Sequence, residues 1–122
     1  MKFIIPFKLP GLNEYINLNR GSRYGGNKLK QDIEQDICLC IRSAGLKPTG
    51  KPVQLHFTWY EATMRRDKDN VAFAKKFILD ALQKAGILPK DGNRYVSGFC
   101  DEFIYHSGQM VVVELEAAHE FP

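Results

Sequence analysis

Cysteine is scarce in this chain and odd in number. The three are Cys38, Cys40 and Cys100. No C-x-x-C occurs and no Cys/His set has zinc-ligand spacing, which excludes a disulfide framework and a small zinc module. Cys38 and Cys40 lie in a helical pattern, where i and i+2 do not face each other. Free thiols in a reducing cytoplasm are therefore expected. Long apolar runs are missing as well: none approaches the ~18–20 residues needed to cross a membrane. The opening MKFIIPFKLPG is broken by Pro6 and Pro10 and lacks a small-residue cleavage site, so no secretory signal is expected. No internal repeat or low-complexity segment occurs. The charge excess is small, a formal +3, which permits a nucleic-acid partner without demanding one.

What is present is a pattern of alternating elements. A chain of 122 residues, 44% hydrophobic, fits one domain over residues 1–122 that buries its core without staples. Residues 2–9 read as a strand pushed towards a sheet edge by Pro6 and ended by Pro10 and Gly11. Residues 12–26, rich in Asn, Gly and Arg, read as a loop. Leu29, Ile33, Ile37 and Ile41 lie four apart and predict a helix over 27–44, stopped by Gly45. Residues 52–61 alternate Val53, Leu55, Phe57 and Trp59 with polar neighbours, the clearest strand. His56 falls on its polar side and reads as an ordinary sheet residue. A second helix is expected over 71–85, with Phe73, Phe77, Ile78, Ala81, Leu82 and Ala85 as its buried stripe and Gly86 as its stop. Strands at 95–106, with a bulge marked by Gly98, and at 109–117 follow, joined by a hairpin turn at Ser107–Gly108. The order β-α-β-α-β-β predicts an α+β fold, one mixed sheet with two helices on a face.

The chemistry concentrates between residues 65 and 91, RRDKDNVAFAKKFILDALQKAGILPKD. Asp67 and Asp69 stand one residue apart directly before the helix, with Asp69 or Asn70 as its N-cap. If the chain runs extended up to the helix, the two carboxylates share a face. Asp91 follows just beyond the helix. Such a set suits Mg²⁺, which takes hard oxygen ligands, few carboxylates, and leaves positions for water and phosphate oxygens. Lys75 and Lys76 lie in the same helix, and a lysine there offsets charge on an oxyanion. The alternative is plainer: a solvated loop acid, a helix cap, and a surface i, i+4 pair between Lys76 and Asp80.

The run RRDKDN…KKFILDALQKAG…KD resembles the signature of the RusA family of Holliday-junction resolvases, often encoded by phages and prophages. The resemblance implies an acidic cluster of Asp67, Asp69 and Asp91 that binds metal, assisted by Lys76, the residue reached by counting back from Asp80–Ala81–Leu82. The gap between Asn70 and Asp80 is longer than the family pattern by about one helical turn, which makes Lys75 the competing lysine. Lys90 stands where the family often has a second acid. LNEYINLNRG resembles the family's Asn/Arg-rich segment. With the basic clusters, it implies DNA contacts from Asn13, Tyr15, Asn19, Arg20, Arg23, Lys28, Arg65, Arg66 and Lys75.

The expected function is a Mg²⁺-dependent (or Mn²⁺-dependent) endodeoxyribonuclease that resolves four-way junctions by paired nicks, in DNA recombination and repair. The expected assembly is a homodimer, with Leu79, Phe99, Phe103 and Tyr105 as surfaces for it. Two alternatives stand beside this: a basic dimer that binds branched or single-stranded DNA without cutting, and a nuclease for other branched DNA.

Overall fold

Strict alternation makes Val53–Glu61 (β2) the centre of the sheet. Val53, Leu55, Phe57 and Trp59 are buried on one face, while Gln54, His56, Thr58 and Tyr60 are half-exposed on the other. In this computed structural model, which describes residues 1–21, 23–89 and 92–118, β2 is flanked on both sides. Met110–Ala117 (β4) runs antiparallel along one side, and Val96–Tyr105 (β3) runs parallel along the other. Lys2–Ile5 (β1) pairs antiparallel with the far side of β4. The sheet order is β1-β4-β2-β3, a single mixed α+β domain.

The helices are Leu12–Gly21 (α1), Arg23–Ser43 (α2), Lys68–Ala72 (α3), Lys75–Lys84 (α4) and Gly92–Tyr95 (α5). Ile33, Ile37 and Ile41 of α2 share one core with Phe77, Ile78, Ala81 and Leu82 of α4 and with the buried face of the sheet. α2 and α4 answer to the two helices expected, and α1, as long as α4, is a third. Gly45 and Gly86, with φ of 70° and 78°, end them in the left-handed region that glycine adopts without steric penalty.

Three expectations are corrected. Residues 12–21 and 23–26 are not a loop but α1 and the first turn of α2. Their weak intrinsic propensity is overcome by tertiary packing and by capping from a distant residue. Second, β3 and β4 do not form a hairpin, because β2 lies between them. Residues 106–109 cross the end of β2, where the His106 amide donates to the Glu61 carbonyl at 2.9 Å. Two inter-strand steps are about 9.6 Å, within the ~13 Å reach of four residues, so a short polar turn is compatible with either topology. Third, the helix expected over 71–85 starts earlier and has a joint. The amides of Ala74, Lys76 and Phe77 bond to carbonyls three residues back, those of Val71, Phe73 and Ala74, so the chain is wound tighter there than an α-helix. The bulge falls at Ser97, beside Gly98: Val53 pairs with Val96 and Gln54 with Gly98. The Ser97 hydroxyl donates to the Val53 carbonyl.

Candidate functional site

Asp67 and Asp69 stand past the carboxyl end of the parallel β2–β3 pair, where open α/β sheets place ligands. Asp67 is the extended residue before α3, with φ −64° and ψ 152°, and its side chain caps nothing. Asp69 lies inside the first turn of α3. The chain therefore turns from extended to helical between the two acids, and the i, i+2 rule for strands does not set their relation. Both are exposed. Among the described residues neither carboxylate has an ion-pair partner. Asp91, the expected third acid, and Lys90 lie outside the described residues. No group of three or more His, Cys, Asp or Glu within ligand reach occurs among the described residues, so these supply two carboxylates. Two exposed, unpaired carboxylates fit Mg²⁺, which binds through one or two and keeps several waters.

The neighbouring lysines have different surroundings. Lys75 donates to Asp101 Oδ2 at 2.7 Å. Its ammonium lies 4.6 Å from the Phe99 ring centroid and 5.4 Å from that of Phe57, and its side chain is only 17% exposed. The other Asp101 oxygen accepts from Trp59 Nε1 at 2.9 Å. Lys76 is exposed and has no ion pair among the described residues. The tightened joint advances the helix phase between Asp69 and these lysines.

Behind the acids lies a network that sequence reasoning missed. Arg66 Nε donates to Glu61 Oε1 at 2.8 Å, and its Nη1 donates to the Leu9 carbonyl at 2.9 Å and to Glu14 Oε1 at 3.1 Å. Gln109 Nε2 donates to Glu61 Oε2 at 3.2 Å. The Arg66 side chain is 14% exposed and that of Glu61 8%. Arg66, expected as a phosphate contact, has its donors turned inward and joins the segment after β1 and the end of β2 to α1. Its neighbour Arg65 is exposed.

Asn70 caps a helix other than its own. Its Oδ1 accepts the Asn13 amide at 2.9 Å, in the first turn of α1, while Glu14 Oε1 lies 3.4 Å from the Gly11 amide. This is a capping box in which a residue 57 positions away replaces the usual N-cap side chain. Gly11 has no side chain, and a Cβ there would stand 2.8 Å from Asn70 Oδ1. The central motif thereby holds the N-terminal segment against itself.

The remaining expected DNA contacts divide in the same way. Asn13, Asn19, Arg20 and Lys28 are exposed, and the Asn19 amide fills the space beside Gly26 that a Cβ would need. Tyr15, expected to stack on a base, packs instead against Phe73 and Phe77, each at 5.7 Å between centroids. Arg23 lies in α2; its side chain lies outside the description. Leu79, expected on a dimer surface, packs against the core.

No protein-family model matches the chain, and no curated protein matches it. Among the described residues no helix is long and apolar enough to cross a membrane.

Proposed function

We propose that this protein is a metal-dependent endodeoxyribonuclease acting on branched DNA, with four-way junctions as its substrate. The observation that carries the reading is the pair Asp67 and Asp69: exposed, without ion pairs among the described residues, and standing at the carboxyl end of two parallel strands. The resemblance to the RusA family adds Asp91 as third carboxylate and four-way DNA as substrate. Mg²⁺ or Mn²⁺, when bound, supplies Lewis acidity at the scissile phosphate. Asp67 and Asp69 hold the ion. Lys76 offsets charge on a phosphate oxygen. Arg65, Arg20 and Lys28 contact backbone phosphates, contributing salt-dependent affinity without reading sequence. Lys75, held by Asp101, acts through position rather than on the substrate.

A four-way junction has two equivalent strands to cut, and a two-fold homodimer offers one site to each. Paired nicks in a reducing cytoplasm, in recombination and repair, complete the reading. The test is a synthetic four-way junction with and without Mg²⁺. Nicking in Mg²⁺ or Mn²⁺ that EDTA abolishes supports it. Tight binding without nicking in either ion sinks it and leaves a DNA-binding module. Nicking confined to flaps or other branches keeps the nuclease and replaces the substrate.

A further inference from the structure

The outer edge of β3 carries an aromatic strip that the core does not use in full. Phe99 is 47% exposed and Tyr105 43%, and Phe103 is half-buried between them on the same side of the strand. Three rings run in near-parallel series from the interior outward. Phe57 stacks on Trp59 with 5.5 Å between centroids and 17° between planes, and Trp59 stacks on Phe103 at 6.5 Å and 17°. Among the described residues no strand lies beyond β3, so the series ends at the sheet edge.

The strip adjoins the acids. Lys68, the residue between Asp67 and Asp69, places its ammonium 5.8 Å from the Phe103 centroid. A contact on the Phe103 ring therefore lies within reach of the lysine that separates the two acids in sequence. Asp101, on the same face of β3 as Phe103, is neutralised by Lys75, and Lys68 is exposed. An aromatic face with lysines beside it matches the two parts of a nucleotide, a flat base and an anionic phosphate.

We propose that the β3 edge is a base-stacking site: Phe103, flanked by Tyr105 and Phe99, takes the face of an unpaired nucleobase, and Lys68 moves from the ring to the adjoining phosphate. The inference rests on the nucleic-acid reading above and deepens it, because it selects DNA whose bases are unstacked near the cut. A second copy of the chain is the rival occupant. Glu102 is exposed near the centre of the ten-residue strand, and antiparallel pairing of two such edges about it sets the two Glu102 carboxylates opposite each other, which disfavours it.

The probe is a four-way junction carrying 2-aminopurine at the crossover, bound in EDTA so that no cutting intervenes. Wild type should quench the fluorescence. Phe103→Leu should lose the quench and weaken binding about tenfold, and Phe103→Tyr should restore both. Tyr105→Ala, at an exposed position, keeps the test decisive if Phe103→Leu fails to fold; it should reduce the quench and the affinity in the same direction. Folded variants of both residues that quench and bind like wild type overturn the proposal. Sedimentation decides the rival: a dimeric wild type that becomes monomeric in these variants makes the strip an interface between copies and overturns base stacking. Nicking of the unlabelled junction in Mg²⁺ separates this proposal from the one it rests on. Phe103-dependent quenching without nicking upholds the stacking site and overturns the nuclease. Nicking that is normal in Phe103→Leu, with an unchanged quench, upholds the nuclease and overturns the stacking site.

Discussion

The Lys75 ammonium stands 2.7 Å from the Asp101 carboxylate, with the two side chains only 17% and 24% exposed. This pair ties the first turn of α4 to the middle of β3 and leaves Lys76 as the lysine facing solvent. Lys75→Ala strands Asp101 with Trp59 as its one remaining side-chain partner among the described residues. We expect a loss of stability on the order of 2 kcal/mol and a change in the emission of Trp59, the chain's single tryptophan. Lys76→Ala should leave stability and emission alone and slow cleavage. Slower cleavage with Lys75→Ala at unchanged stability, and none with Lys76→Ala, would reverse the assignment.

Asp69→Asn removes one ligand and one negative charge beside phosphates. Cleavage should fall by on the order of a hundredfold or more, while junction binding holds or tightens. Gel-shift and nicking assays on the same preparation separate the two effects. Near-normal cleavage removes Asp69 from the site.

Arg65 and Arg66 are adjacent and should behave differently. Arg66→Ala leaves Glu61 in a site only 8% exposed with the Gln109 amide as its remaining partner. Breaking such a pair costs about 3 kcal/mol, which a denaturant melt would register. Arg65→Ala should leave the melt unchanged and lower the slope of log binding constant against log salt by about one. Equal salt slopes for wild type and Arg65→Ala would remove that phosphate contact.

Asn70→Ala deletes the cap on α1. A lost N-cap costs about 1 kcal/mol, and limited proteolysis should then cut within residues 12–21 sooner than in wild type. Gly11→Ala, which forces a Cβ to 2.8 Å from Asn70 Oδ1, should produce the same early cut. Unchanged cleavage kinetics in both variants would mean that the cap does not hold α1.

The thiols should react in the order of their surroundings. Burial raises the pKa of Cys38 above 9.0, against the lowering influence of Arg42 and Lys84. Burial raises that of Cys40, with Asp36 adding to it. Cys100 is exposed. At pH 8 a colorimetric thiol reagent should modify Cys100 first and Cys38 last. The sign for stability follows: the folded chain keeps protons on Cys38 and Cys40 that the unfolded chain releases. This contribution is complete below pH 9 and is lost as pH rises from there through the folded values. Melts of Cys38→Ala should show a shallower decline above pH 9 than wild type.

Local periodicity was enough for much of this protein. The four-apart isoleucines of α2, the alternation of β2, the stripe of α4 and the stops at Gly45 and Gly86 are legible because each depends on residues a few positions apart. Tertiary structure decided what local rules leave degenerate. Ser107–Gly108 is compatible with a hairpin or with a crossing over β2, and only the docking of β2 between its neighbours selects the second. Residues 12–26 have loop-like composition, and residues 12–21 fold as helix because Asn70 caps α1 and Tyr15 packs on Phe73 and Phe77. Arg66 reads as a surface cation until Glu61, Glu14 and the Leu9 carbonyl are brought around it. Lys75 and Lys76 are neighbours in sequence, yet Asp101, 26 positions from Lys75, holds the first, while the second has no ion pair among the described residues. Sequence determines such partners only through the whole fold, since their energy comes from contacts between segments that no local window contains.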